Sequence, residues 1–552
     1  MEMTGLNNES IPSLAVPLPE DIMKLKWCGE FAQAERVIDR RLEKPLPKKL
    51  RERLILEKEI LRRIPGQYPY SWEEALERMR ENVRDFREEE LKELWEEDAA
   101  DWIYIKGKVY FRENFLENVI KTRKEYADRV IRQELSDDAG KAELLDRTIQ
   151  RMKAEGGQTW RFHMKITIAV KEQAERDGEP IRVYIPIPVE YAQIQNFRLL
   201  GVYVGDKEAD PKEYCVAPPC QGHRAVCFET VHKKGQTYQT VFSFENHGTY
   251  VDLYAPEAAE AAVNAVTARD ENTAGGNTAD GNTASGNTAD GNALDAGRID
   301  EPSCYLGEQL PHIRFTPYLR ALAEEIVGDE QNPLLKAQKI YEFITTKVMY
   351  SYVRSYLTLN DIPESAAVSL KGDCGVQALL FITLCRIAGI PARWQAGLYT
   401  APNDIGNHDW AQFYVEPFGW RYADCSFGGS AYRKGAETRW KFYFGNLDPF
   451  RLPAAREFQA DFFPPSRHLR NDPYDNQDGE VEYEDAGLVR EEYETRFEMV
   501  RAEQIKERRG KCRLLLNKKY IVYASLPCYN EISIKYSDKY LESKFYYAEE
   551  EG

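Results

Sequence analysis

The sequence predicts a multidomain α+β protein. A helical region comes first, a β-sandwich-like domain follows, and then a buried helix packs on an antiparallel sheet. Three observations carry this reading. Apolar residues recur at three- and four-residue steps up to about residue 150. From residue 158 the apolar period falls to two. Beyond Gly372-Asp-Cys-Gly375 lies a nearly continuous apolar helix, with two strand-like runs behind it.

Taken in order, residues 1–157 form the N-terminal helical region. Ser71-Trp-Glu-Glu74 reads as a capping box, a hydroxyl followed three residues later by a carboxylate. Behind it Trp72, Leu76, Met79, Val83, Phe86 and Leu94 mark one helix face, with Leu91 adjoining. The other face is dense in Glu and Arg. That is a solvated layer laced with i,i+4 pairs, with a partner-docking module as the alternative.

Residues 158–265 form the β-sandwich-like domain. Phe162, Met164, Ile166, Ile168 and Val170 alternate with polar residues, as do Tyr238, Thr240, Phe242 and Phe244. In the run Val183–Val189, Pro186 and Pro188 share one side, which predicts an edge strand. Residues 266–298 are a low-complexity linker. A five-residue repeat, Asn-Thr-Ala-x-Gly, fills 271–292, and such residues bury too little surface to offset ordering entropy. Residues 299–450 carry the chemistry. Asn332–Ile344 reads as a helix and Val348–Val353 as a strand or turn. Residues 451–552 are a C-terminal extension. Its Pro-, Asn- and Asp-rich start predicts loop over the surface, followed by a charged helix from Glu491 to Glu507 and a strand-like piece, Lys519–Ser525.

Composition narrows the partners. Lys plus Arg number 74 against 91 Asp plus Glu, a net charge of −17 that repels phosphates and anionic lipid. Nucleic acid and membrane surfaces are therefore excluded as expected partners. No apolar run sits behind a basic start, and none of about 18 residues appears elsewhere. The expectation is a cytoplasmic protein whose ten scattered cysteines are reduced.

The chemistry concentrates in three segments. Cys374 opens the apolar helix, His408 opens the run Trp410–Val415, and Asp424 ends the run that starts at Gly419-Trp420. A thiol in the first turn of a helix meets unpaired N–H groups and the positive end of the helix dipole, which favour a thiolate. Gly375 is expected to keep the approach to the sulfur open. A hairpin through Pro417-Phe-Gly419 can set His408 and Asp424 on adjacent strands. Cys374 then attacks an acyl carbon, His408 shuttles the proton, and Asp424 orients the ring and stabilises the imidazolium. The backbone N–H of Cys374 is the first oxyanion donor, with Tyr352 and Gln377 as candidates for a second. Singly, each residue has a structural reading: a core thiol, a hydrogen-bonded imidazole, a turn-forming carboxylate. Their order and flanking residues point to a site.

Those flanks, Gly-Asp-Cys-Gly followed by Leu-Cys-Arg-Ile-Ala-Gly-Ile-Pro-Ala-Arg, then His-Asp-Trp, then Gly-Trp and Asp, resemble the core of the transglutaminase-like superfamily. The resemblance spans about 310–450. It implies a papain-like α+β fold, a bacterial type of protein, and a triad of Cys374, His408 and Asp424. Many members follow the triad Asp with Pro. Here Cys425 stands in that place, which puts the local turn in question.

A second constellation competes. Cys215, Cys220, His223 and Cys227 could hold zinc, yet their spacing fits no common zinc module, and an incidental grouping is the expectation. The predicted function is a cysteine hydrolase that cleaves peptide or amide bonds through a thioester, with no cofactor and no metal, acting on a peptide or protein. The alternatives are a protein-glutamine acyl transferase and a non-catalytic binding module on the same fold. Trp394, Tyr399, Trp410 and Trp420 are expected mostly in core packing, and the loop 402–407 as a gate.

Overall fold

The computed structural model describes residues 6–131, 139–274, 300–402 and 404–505. Pro19 and Pro47 precede the first and third helices of α1 (Glu20–Trp27), α2 (Phe31–Leu42) and α3 (Lys48–Arg63), where a fixed φ suits helix entry. After β1 (Tyr70–Ser71) comes α4 (Trp72–Asn82), whose capping box forms: Glu74 N–H donates to the Ser71 hydroxyl and Ser71 N–H to the Glu74 carboxylate. The stripe read as one helix is two. Val83 turns extended, and α5 (Glu88–Glu96) restarts, yet Leu76, Met79, Val83, Phe86, Leu91 and Leu94 still share one core.

A small sheet interrupts the helical region. β2 (Trp102–Ile105) and β3 (Lys108–Phe111) are β-rich runs joined by Lys106-Gly107, both at positive φ, as a tight hairpin requires. The order is β1-β3-β2. Three helices follow: α6 (Phe115–Thr122), α7 (Lys124–Ala127) and α8 (Ala139–Glu155).

The β domain contains β4 (Gly157–Val170), β5 (Pro180–Pro186), β6 (Ile194–Val204), β7 (Lys207–Glu208), β8 (Tyr214–Val216), β9 (Ala225–Val231) and β10 (Thr237–Thr249). Next, α9 spans Pro256–Ala274, so helix occupies the first residues assigned to the linker, and most of the repeat lies outside the described residues.

The third part contains α10 (Pro317–Val327), α11 (Pro333–Lys347), β11 (Met349–Tyr350), α12 (Ile362–Ser369), β12 (Lys371–Gly372) and α13 (Cys374–Ile387). After them come β13 (Ala392–Ala401), β14 (Asp404–Val415), β15 (Gly419–Ala423), α14 (Cys425–Arg433), α15 (Glu437–Phe442), β16 (Phe444–Gly445) and β17 (Arg451–Ala455). One antiparallel sheet, in the order β16-β15-β14-β13-β17, backs the buried α13. The predicted helix on an antiparallel sheet is present, with Cys374 first in the helix, His408 in β14 and Asp424 just past β15.

The chain then returns to the β domain. β18 (Glu480–Tyr483) pairs with β5, and β19 (Tyr493–Ile505) pairs with β4 along nearly its whole length. The two sheets, β19-β4-β10-β6-β7 and β18-β5-β9-β8, enclose one apolar core. Two expectations fail here. Residues 493–505 are strand, not helix, because Tyr493, Thr495, Phe497 and Met499 alternate with charges, which is the pattern of a charged edge. β5 is internal, because β18 covers only Ile181–Tyr184 and leaves Pro186 free of a partner on that side. Residues 456–479 also depart from a surface loop, since Phe458, Phe462, Leu469 and Tyr474 are buried. Lys519–Ser525 lies outside the described residues.

Candidate active site

Asp373 builds the entry to α13. Its Oδ1 accepts from the Val376 N–H (3.1 Å) and from the Tyr356 hydroxyl (2.5 Å). Cys374 follows as the first helical residue and is half-buried. The helix terminus favours a thiolate, but the surroundings oppose it. The Sγ donates to Asp409 Oδ2 at 3.3 Å. Burial pushes the Cys374 thiol well above the ordinary range, and the Asp409 and Asp373 carboxyls push it further. Burial and the Asp373 charge likewise raise Asp409, whose Oδ1 accepts from Gln477 Nε2 at 2.5 Å. At neutral pH this sulfur rests as a thiol.

The imidazole and its carboxylate are assembled. His408 Nε2 lies 2.8 Å from Asp424 Oδ2, and since an ionised carboxylate only accepts, Nε2 carries the proton. Asp424 Oδ1 caps α14 by accepting from the Phe427 N–H at 3.0 Å. Arg451, fully buried in β17, donates to Asp424 Oδ2 (2.8 Å) and to Asp448 Oδ2 (2.6 Å). Burial pushes the Asp424 carboxyl up, but the His408 and Arg451 charges outweigh it and hold it at about 2. The Phe427 ring packs 4.5 Å from the imidazole. Cys425 opens α14 directly after the carboxylate, so Cys in place of Pro leaves the cap intact.

His408 and Asp424 are thus brought together, while Cys374 is engaged one strand position away. Successive strand residues project to opposite faces, so His408 and Asp409 diverge. Register pairs His408 with Gly397 and Asp409 with Ala396. Among the described residues, Sγ makes no hydrogen bond to His408, and the imidazole Nδ1 makes none at all. Sequence reasoning missed Asp409, Tyr356, Gln477 and Arg451. For Asp409 the signal was present: period-two alternation forbids both neighbours from facing the same way.

The other expectations divide. The space at Gly375 is not open, because a Cβ there would meet the Tyr356 hydroxyl, the Asp409 carboxylate and Trp394. Gln377 spends its amide N–H on Gly372 O, and the Tyr352 hydroxyl accepts from Lys121. Residues 404–407 belong to β14, leaving only Pro402-Asn403 between paired Ala401 and Asp404, with Asn403 outside the described residues. Trp394, Tyr399 and Trp410 are core residues. At the second constellation, His223 has both ring nitrogens occupied, by Glu457 O and Arg470. No group of three metal-ligating side chains converges among the described residues.

The transglutaminase-like superfamily profile matches residues 320–425, from within α10 to the first residue of α14. This segment is a transglutaminase-like core. An uncharacterised Haemophilus influenzae protein is 28% identical over 171 residues, covering 25% of this chain and 46% of its own length. The chain thus spans about half the length of that curated relative. Among solved structures, a candidate cysteine protease from Cytophaga hutchinsonii aligns at 14% identity and TM-score 0.35, over 62% of this chain and 91% of its own. The periplasmic domain of TgpA from Pseudomonas aeruginosa aligns at 12% identity and TM-score 0.25, over 52% and 94%. No helix among the described residues is long and apolar enough to cross a membrane.

Proposed function

We propose that the transglutaminase-like core is a cysteine hydrolase that cleaves peptide or amide bonds of a peptide or protein substrate. The observation that carries this reading is the buried His408–Asp424 pair, with Nδ1 left unbonded. Catalysis requires a rearrangement at the start of α13 that takes the Cys374 Sγ from Asp409 to that nitrogen. Its proton passes to Nδ1, and the sulfur attacks the acyl carbon. The carbonyl oxygen becomes an oxyanion, with the Cys374 backbone N–H as one donor. Collapse breaks the C–N bond, the imidazolium gives its proton to the leaving amine, and a thioester remains. Water, deprotonated by His408, then releases the acid and restores the thiol. Asp424, held ionised by Arg451, stabilises the imidazolium throughout. A cytoplasmic setting, with reduced thiols, suits this chemistry.

Mass spectrometry of protein quenched during turnover of an activated acyl ester tests this. An acyl adduct is expected on Cys374 and absent from Cys374→Ala. Stable incorporation of a labelled amine into a Gln-bearing protein would make the core an acyl transferase instead. A Cys374 thiol that forms no adduct with any activated acyl ester would leave a binding module.

A further inference from the structure

A cavity lies where the N-terminal region meets the transglutaminase-like core. It measures about 550 Å³, within the range of small-molecule sites. Its apolar wall includes Leu14, Leu18, Met23, Phe31 and Ile64, with Trp27, which is 66% exposed, among the lining residues. Four cations line it, Lys26, Arg53, Arg314 and Arg354, and no Asp or Glu does. In a chain of net charge −17 this is a local inversion of sign.

Three of these cations are satisfied from behind the wall. Lys26 and Arg53 both pair with Glu57, at 2.9 and 2.6 Å, and Arg314 pairs with Asp361 at 3.6 Å. Arg354 differs. It makes no hydrogen bond or ion pair among the described residues, and its Nε is buried without a partner. Asp101, which feels its charge, is engaged by Tyr68 and Arg112. A second donor on the same wall is also orphaned: the buried Trp102 Nε1 has no acceptor. Both groups only donate. Two unmet buried donors, one of them charged, cost stability unless an acceptor fills the site.

We infer that this cavity binds a carboxylate attached to an apolar body, the carboxylate taking the Arg354 and Trp102 N–H groups and the apolar part lying against Leu14, Leu18 and Phe31. A peptide C-terminus with an aliphatic side chain and a free aliphatic acid share this chemistry. The site is separate from the reaction at Cys374, and its test does not depend on turnover.

Isothermal titration of the full chain with N-acetyl-leucine, N-acetyl-leucinamide and octanoate tests the assignment. At least one acid is expected to bind saturably, and the amide at least about tenfold more weakly, since the amide forfeits the charge-assisted bond. Tighter binding of N-acetyl-leucine assigns the peptide terminus, and tighter binding of octanoate the aliphatic acid. Arg354→Met, which removes no bond within the protein, should lower acid affinity about tenfold or more with an unchanged unfolding midpoint. Trp102→Phe should weaken the acid severalfold and leave the amide unaffected. The inference fails if neither acid saturates by about 10 mM, if acid and amide bind alike, or if neither substitution changes acid binding.

Discussion

Replacing Asp409 with Asn should awaken the Cys374 thiol. The carboxylate lies 3.3 Å from Sγ, and Asn keeps the shape and an acceptor for Gln477 while removing the charge. At that separation, ionised sulfur and carboxylate repel by about 1.3 kcal/mol in a water-like medium and about 5 kcal/mol at an effective dielectric of 20. Removing this term raises the thiolate population at neutral pH by about eightfold at the lower figure. A less basic thiolate is a weaker nucleophile, with a Brønsted slope near 0.5, so about half of the gain in log rate survives. Wherever Asp409, itself raised by burial and by Asp373, is ionised, the net acceleration is therefore about threefold at the least and up to about seventyfold. The assay is release of the chromophore from an aromatic disulfide reagent at stepped pH from 7 to 9, with the rate of Cys374→Ala subtracted to remove the other cysteines. A rate for Asp409→Asn within twofold of the parent, or slower, would refute the account of why this thiol rests protonated.

Two further outcomes follow from the geometry. Asp424 is held at about 2 against an ordinary 3.8, a difference worth about 2.5 kcal/mol. Its carboxyl is depressed in the fold, so this stability is full above about pH 5 and drains away as the pH falls toward 2; urea unfolding at stepped pH should show the loss in the parent and a flatter profile in Asp424→Asn. Gly375→Ala would drive a Cβ into the Tyr356 hydroxyl and to 2.8 Å from Asp409 Oδ2, costing about 1–3 kcal/mol, and a denaturation midpoint equal to the parent's would contradict that packing.

Much of the fold was legible because local chemistry and tertiary role agree. Ser71 and Glu74 close their box, and the alternating run from Phe162 to Val170 pairs on both sides as β4. The helix behind Cys374 was readable from its unbroken apolar surface. The candidate site was legible only as types and order. The His408–Asp424 contact depends on hairpin register, which the Pro417–Gly419 turn signals. Arg451 carries no such signal, because a buried guanidinium is recognisable only by the two carboxylates that fold around it. The strand Tyr493–Ile505 was misread because its Glu and Arg residues suit a solvated helix as well as a sheet edge, and only its partner β4 decides between them.

The sandwich is a closed circuit interrupted by the transglutaminase-like core. Its strands β4 to β10 are made first, but the edges that complete both sheets emerge from the ribosome roughly 250 residues after Thr249. At about 5–20 residues per second, those edges stay open for on the order of 10–50 s of synthesis. Exposed edges of that kind recruit other strands, so nascent chains are vulnerable to mispairing during this interval. Maturation of the sandwich must therefore wait for the unit it brackets, and a chain cut short after β17 would expose two unfinished sheets even with its thiol, imidazole and carboxylates all in hand.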